Sequence, residues 1–172
     1  MIEERIKNIR LLILDVDGIL TDGRIIYDNF GDTVKMFDVR DGLGLVLLKR
    51  ANIKVAIVSA GKSRAVTRRA RELKVTRVYQ GIRDKLKIYN KLLRKFRLKD
   101  DEVCYMGDDL TDVPVMKRVG LAIGVPNSID EVQRISHYIT SHNGGRGAVR
   151  EAADLILRTQ GKWDEVVAKY MG

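Results

Sequence analysis

Two aspartates one residue apart, Asp15 and Asp17, end an unbroken apolar run at residues 11–14 and are followed by Gly18. In an extended chain, side chains two apart project to the same side, and glycine lets the backbone turn closely around whatever the carboxylates bind. A strand-terminating Asp/Gly turn is one reading. The other is a phosphoryl-transfer site, in which one carboxylate attacks as nucleophile, a second gives a proton to the leaving oxygen, and a hard cation such as magnesium holds the anionic partners together. That second reading requires more residues downstream, and the chain offers three sets. Ser59, Ala60 and Gly61 follow the apolar run 54–58 and precede the helical pattern of Ala65, Val66, Ala70 and Leu73. A hydroxyl with free backbone N–H groups at such a junction can hold an anion, and the same residue types also make ordinary turns and caps. Lys85 starts a helical segment reaching to about residue 96. The helix macrodipole favours acids there, so Lys85 is either a surface lysine or the partner of a bound anion. Asp108, Asp109 and Asp112 then crowd the end of the run 103–106, behind Gly107. One of them could cap a helix; three together repel unless a cation or positive side chains offset them, which favours metal coordination.

The elements that must position these groups follow from the hydropathy pattern. Short apolar runs alternate with amphipathic segments, the pattern of a Rossmann-like α/β fold: a three-layer sandwich around a central, mainly parallel sheet. The pattern predicts strands at 11–14, 54–58, 77–79, 103–106 and 121–125, and an edge segment or loop at 136–140. Helices are expected over the segment from 63 to 73, over 85–96 and 148–160, and in an amphipathic end at 162–170. Residues 24–28 and 33–37 flank Asn29, Phe30, Gly31 and Asp32 as a hairpin, which could act as a flap over the site or as an oligomer contact. Residues 38–44, DVRDGLG, read as a polar loop leading into the end of a helix at 45–50.

At 172 residues and 45% hydrophobic content the chain is expected to form one domain, residues 1–172, with a real core. It has no apolar run of about 18 residues and no apolar signal core at its start, so a cytoplasmic protein with no membrane partner is expected. The single cysteine, Cys104, excludes an internal disulfide and a zinc cluster and suits a small core residue. A net charge of +9 admits nucleic acid, an anionic surface or small anionic substrates as partners. The basic residues are spread over helix faces, with three Phe and no basic tail, which argues against nucleic acid.

Ligands of open α/β sheets gather at the carboxyl ends of the strands, so the four clusters converge on one crevice. A response-regulator receiver uses similar groups in a different order. The order here resembles the haloacid dehalogenase superfamily, whose four motifs match Asp15 with Asp17, Ser59, Lys85, and Asp108 with Asp109. DVDGILTDG, DVRDGLG, VYQGIRDK, GDDLTDVPVM and GGRGAVREAADLILRTQGK together resemble its small capless branch, the 3-deoxy-D-manno-octulosonate 8-phosphate phosphatases, over nearly the whole chain.

The resemblance implies a haloacid dehalogenase-like fold with a hairpin flap and no cap domain. It implies hydrolysis of an eight-carbon sugar acid phosphate on the route to lipopolysaccharide, with the same chemistry on a nine-carbon keto-acid 9-phosphate, or non-catalytic anion binding, as alternatives. Asp15 is then the nucleophile and Asp17 the acid and base. Magnesium is held by Asp15, Asp17 through its backbone carbonyl, and Asp108, with Asp109 and Asp112 behind them. Ser59 and Lys85 bind phosphate. Substrate contacts fall to Asp17, Asp38, Arg40, Asp41, Gly42, Arg69, Lys85 and Arg146. The chain departs from the family at Ser59-Ala60-Gly61, where Thr or Ser is usually followed by Gly and Arg. Because a capless domain leaves its crevice open, a homo-oligomer is expected, a tetramer by resemblance, in which Gly144, Gly145, Arg146 and Gly147 help to close a site.

Overall fold

The structure is a computed structural model describing residues 1–31 and 33–172. Asp32, placed by the sequence in the hairpin loop, lies outside the described residues. Six strands form one parallel sheet: β1 (Leu11–Leu14), β4 (Lys54–Val58), β5 (Arg77–Tyr79), β6 (Val103–Met106), β7 (Leu121–Gly124) and β8 (Tyr138–Ile139), in the order β5-β4-β1-β6-β7-β8. The segment around 136–140 is thus an edge strand. Strand β1 lies between β4 and β6, with Leu14 level with Ile57 and Met106, so three strand ends open side by side at the point where the winding reverses.

Alternation along the strands divides the core in two. Leu12, Leu14, Val55, Ile57, Cys104 and Met106 face α1 (Ile2–Lys7), α2 (Val39–Arg50), α3 (Arg64–Glu72), α7 (Ala148–Thr159) and α8 (Trp163–Met171). Leu11, Ile13, Ala56, Val58, Val103 and Tyr105 face α4 (Lys85–Phe96), α5 (Val113–Met116) and α6 (Asp130–Ile135). The all-apolar reading of β1 follows from being covered on both faces. No helix among the described residues is long and apolar enough to cross a membrane.

The hairpin is present but short. Strands β2 (Ile26–Tyr27) and β3 (Thr33–Val34) pair antiparallel, Ile26 with Val34 and Tyr27 with Thr33. The polar loop expected over residues 38–44 is instead mostly helix. Asp38 caps α2, its carboxylate accepting from the Arg40 N–H at 2.7 Å, and the helix runs through both glycines. Those glycines permit close packing rather than a turn: a Cβ at Gly44 would stand 3.1 Å from the Ala153 Cβ and 3.2 Å from the Arg150 Cα, both on α7.

Candidate active site

Each element ends by delivering one group to the same mouth. Asp15 leaves β1 with its N–H held by the Met106 carbonyl at 3.1 Å, and its Oδ1 accepts from the Val16 N–H at 2.7 Å. Its Oδ2 lies 3.0 Å from the Lys85 Nζ. Ser59, itself buried, leaves β4 with its N–H on the Tyr79 carbonyl and its carbonyl accepting from the Ile82 N–H, beside the exposed Ala60 and Gly61 of the cleft wall. Lys85 is the first residue of α4, whose cap is the Asp84 carboxylate accepting from the Lys87 N–H at 3.0 Å. The charge that looked misplaced in the sequence has its partners in the chain itself: the Nζ of Lys85 reaches Asp112 Oδ1 at 2.7 Å as well as Asp15.

Asp112 organises the fourth strand end. It is fully buried; Oδ1 accepts from Lys85 and from the Tyr105 hydroxyl at 2.6 Å, while Oδ2 accepts from the N–H groups of Asp108 and Asp109 at 3.0 and 3.3 Å. Gly107 makes this fold-back possible, since a Cβ there would stand 2.5 Å from the Asp112 Cβ. Asp109 turns outward, capping the Leu110 N–H.

Carboxylate oxygens of Asp15, Asp108 and Asp112 lie within 4.8 Å of one another. Burial, with the charge of Asp112, raises Asp15 to about 6, against the pull of Lys85; burial, with Asp15, Asp112 and Asp109, raises Asp108 to about 7. Lys85 is shifted upward, because the two carboxylates outweigh the effect of its own burial. Asp108 Oδ1 is buried and makes no hydrogen bond among the described residues. Crowded oxygen donors, one of them unpartnered, fit a hard divalent cation such as magnesium better than a soft one. Gly18, with φ of +90°, lets the β1 loop lie against Asp108: a Cβ there would stand 1.9 Å from the Asp108 Oδ2.

Asp15, Asp17, Ser59, Gly61, Lys85, Asp108, Asp109 and Thr111 line one cleft of about 280 Å³. The sequence-predicted residues outside it form other groups. Asp38, Asp41, Gly42 and Arg69 line a small cavity between α2 and α3. There Asp41 is buried, its Oδ1 accepting from the Arg150 N–H at 2.8 Å, and Arg69 lies over Gly42. Arg40 pairs with Asp38 at 2.8 Å and donates to the Arg146 carbonyl at 3.0 Å. The Arg146 guanidinium is exposed, 3.8 Å from the Asp22 carboxylate. The Gly144–Gly147 segment is tied down in its own subunit: the Gly145 N–H donates to the Ile19 carbonyl at 2.8 Å, and a Cβ at Gly144 would stand 1.7 Å from the Gly18 carbonyl oxygen.

One site residue was missed by reading the sequence. Lys35, directly after β3, has a buried side chain that pairs with the Asp17 carboxylate. Its signal is an inverted alternation, with Val34 and Met36 exposed and Lys35 between them turned inward.

The haloacid dehalogenase-like hydrolase family matches residues 69–152. The 3-deoxy-D-manno-octulosonate 8-phosphate phosphatase KdsC of Escherichia coli K12 is 46% identical over 159 residues, covering 92% of this chain and 85% of that protein. The phosphatase of the same name from Moraxella catarrhalis, solved with magnesium, phosphate and KDO, is 42% identical with a TM-score of 0.95, covering 98% of this chain and 97% of that one. The cobalt-bound form of the Haemophilus influenzae deoxy-D-mannose-octulosonate 8-phosphate phosphatase is 36% identical with a TM-score of 0.88, covering 92% of each.

Proposed function

The chain belongs to the 3-deoxy-D-manno-octulosonate 8-phosphate phosphatase family of haloacid dehalogenase-like hydrolases, and from that premise we propose that it hydrolyses the phosphate ester of this eight-carbon sugar acid. The observation that carries the chemistry is the meeting of Asp15, Asp108 and Asp112 within 4.8 Å, with buried Lys85 paired to Asp15 and Asp112. Asp15, at the end of a rigid central strand, attacks phosphorus in line; the bond to the sugar oxygen breaks and an aspartyl-phosphate forms. Asp17 gives a proton to the departing oxygen, then takes one from the water that cleaves the acyl phosphate. Lys35 fixes the direction of the Asp17 carboxylate for both steps. Lys85 and Ser59 hold phosphoryl oxygens, and Asp112 with Tyr105 holds Lys85. Magnesium would be held by Asp15, the Asp17 carbonyl and Asp108, with Asp109 and Asp112 behind; when bound it neutralises repulsion between the attacking carboxylate and the phosphate.

Of the remaining expected substrate contacts, Asp41 is buried and Gly42 lies under Arg69, so these two support α2 and do not face substrate, while the exposed Arg146 helps to close a site in a homo-oligomer, a tetramer by resemblance. The hairpin supports this: Ile25, Tyr27, Phe30, Val34 and Met36 are all exposed on it, and Phe30 is 95% exposed. Apolar patches of this kind mark contact surfaces. The enzyme would act in the cytoplasm, on the route to the inner sugar of lipopolysaccharide.

A panel of phosphorylated sugar acids, including a nine-carbon keto-acid 9-phosphate, and simple sugar phosphates tests the reading. With magnesium the eight-carbon acid should give the highest kcat/KM, chelator should silence turnover, and Asp15→Asn should lose on the order of thousands-fold. Activity in excess chelator, or retention of more than about a tenth by Asp15→Asn, refutes it. Mass in solution tests the assembly.

A further inference from the structure

The basic charge of the chain is unevenly placed. Residues 61–99 hold fifteen of its 32 Lys and Arg against two of its 23 Asp and Glu, so the rest of the chain is net acidic. The fold gathers this segment at one edge. It comprises α3, β5 and α4; β5 pairs only with β4 and ends the sheet, with α3 packed on one face of that edge and α4 on the other. Arg71, Lys74, Arg77, Lys91, Arg94 and Lys95 are all exposed there, and none forms an ion pair among the described residues. The two acids of the segment are engaged elsewhere, Glu72 by Arg68 and Arg69 and Asp84 in capping the Lys87 N–H.

Structural roles account for only part of this charge. Arg71, Arg94 and Lys95 lie in the last turns of α3 and α4, where cations complement the helix macrodipole; Lys74, Arg77 and Lys91 do not. Heat-stable surfaces carry their charges in ion-pair networks, whereas these cations are unpaired and repel one another, which costs stability. They do not serve the cleft either. The crossover helices run back along the strands, so the ends of α3 and α4 and the start of β5 lie at the opposite end of the sheet from Asp15 and Ser59. What the edge lacks narrows its ligand. Among the described residues no large apolar side chain is exposed between Val39 and Leu110, so the patch has no apolar centre of the kind that a protein interface uses. Its aromatic rings are covered, Tyr79 by Lys91 at 5.4 Å and Phe96 by Lys54 at 5.6 Å, which leaves no platform for stacked bases. Its amides are occupied, Gln80 with Ser63 and Thr67 and Asn90 with Arg118. Charge alone remains, spread across all three layers of the sandwich.

We propose that the β5 edge is a docking surface for the headgroup plane of an anionic lipid bilayer. Such a plane carries negative charge continuously in two dimensions and attracts clustered Lys and Arg without an apolar anchor. The lack of a long apolar helix, which argued against a membrane partner, does not bear on a contact made by charge alone. Seated this way, the chain turns the mouth at the carboxyl ends of its strands away from the bilayer, open to soluble substrate.

The test is co-sedimentation of the protein, with magnesium present, with vesicles of pure phosphatidylglycerol, beside vesicles of pure phosphatidylcholine. Wild type should pellet with the anionic vesicles only, and added salt should release it, because screening shortens the reach of the surface charge. An edge variant, Arg71→Gln, Lys74→Gln, Arg77→Gln and Lys95→Gln, is compared with a control of equal net charge, Lys49→Gln, Lys117→Gln, Arg134→Gln and Lys169→Gln, whose cations are exposed outside the segment. Each cation at such a surface is worth about fivefold in partitioning, so the edge variant should bind at least about 25-fold more weakly, two of the four reaching the headgroups being enough, and the control should lose less than about fivefold. Tm and kcat/KM of the edge variant should match or exceed wild type, since all four side chains are exposed and unpaired. Equal losses in the two variants, or equal pelleting with phosphatidylcholine, overturn the proposal. So does tighter binding to duplex DNA than to the anionic vesicles at the same salt, which assigns the edge to nucleic acid. A fall in kcat/KM in the edge variant overturns it too, because the edge then belongs to the reaction.

Discussion

Replacing Lys85 by Met should separate the folding role of this lysine from its chemistry. Its ammonium is 2.7 Å from Asp112 and 3.0 Å from Asp15, with the side chain 1% exposed. Removing it leaves Asp15, Asp108 and Asp112 facing one another with no internal cation among the described residues. Breaking a buried ion pair from one side costs roughly 3–5 kcal/mol. At about 2–4 °C per kcal/mol for a chain of this size, Tm in chelator should fall by about 6–20 °C. Magnesium should then restore much of the loss, since saturation at about 100 times Kd adds roughly 2.7 kcal/mol to a form that binds it. Lys85 competes electrostatically with a cation for the same oxygens, so the variant should bind magnesium more tightly than wild type and show the larger rise in Tm. Scanning calorimetry across a magnesium titration, beside a chelated control, measures both quantities. A loss below about 1 kcal/mol in chelator, or equal magnesium-induced rises in the two proteins, refutes the assignment of Lys85 as the internal counter-charge.

Three further perturbations probe the supports. Tyr105→Phe removes a 2.6 Å hydrogen bond to buried Asp112; it should cost about 1–3 kcal/mol in denaturant unfolding and lower kcat more than it raises KM, whereas unchanged kinetics would show that Lys85 needs no such brace. Gly144→Ala drives a Cβ to within 1.7 Å of the Gly18 carbonyl oxygen, so the loop bearing Asp17 must shift and kcat/KM should drop by about 100-fold; full activity would mean that the two loops move apart freely. Glu151 accepts from the Tyr138 hydroxyl, the Ser141 and His142 N–H groups and the His142 ring. Burial pushes its carboxyl up, and these donors outweigh that and hold it below its ordinary 4.5. A depressed pKa means stabilisation that is present above the unfolded value and lost as pH falls through the folded one, so the Tm gap between wild type and Glu151→Gln should narrow progressively as pH falls below 4.5; a gap that stays constant over that descent contradicts this.

Where a residue's environment is set by its own strand, the sequence is readable. The strands at 11–14, 54–58, 77–79 and 103–106 and the helix at 85–96 lie where apolar runs and periodicity put them. The helix begun at Asp38 was not, because Gly42 and Gly44 have the composition of a turn, and only α7 and the Arg69 side chain lying against them explain their small size. The four clusters at strand ends were legible, since winding order alone brings them to one edge. Three other features depend on long-range contacts. The partner of Lys85 is 27 residues away in Asp112, Lys35 reaches Asp17 from the hairpin, and Asp38, Asp41, Gly42 and Arg69 gather in a cavity of their own.

The seating of Gly144 and Gly145 on the loop after β1 has a consequence for how the protein is made. Strand β1 is made before both its neighbours, β4 and β6, and the loop carrying Asp17 and Gly18 meets its cover only when residues 144–145 emerge. The nascent chain therefore holds Asp15 and Asp17 in an incomplete setting until residue 145 has been made. The surroundings of Asp15 and Asp17 are complete only once Gly145 has emerged, after all four motif clusters have been made.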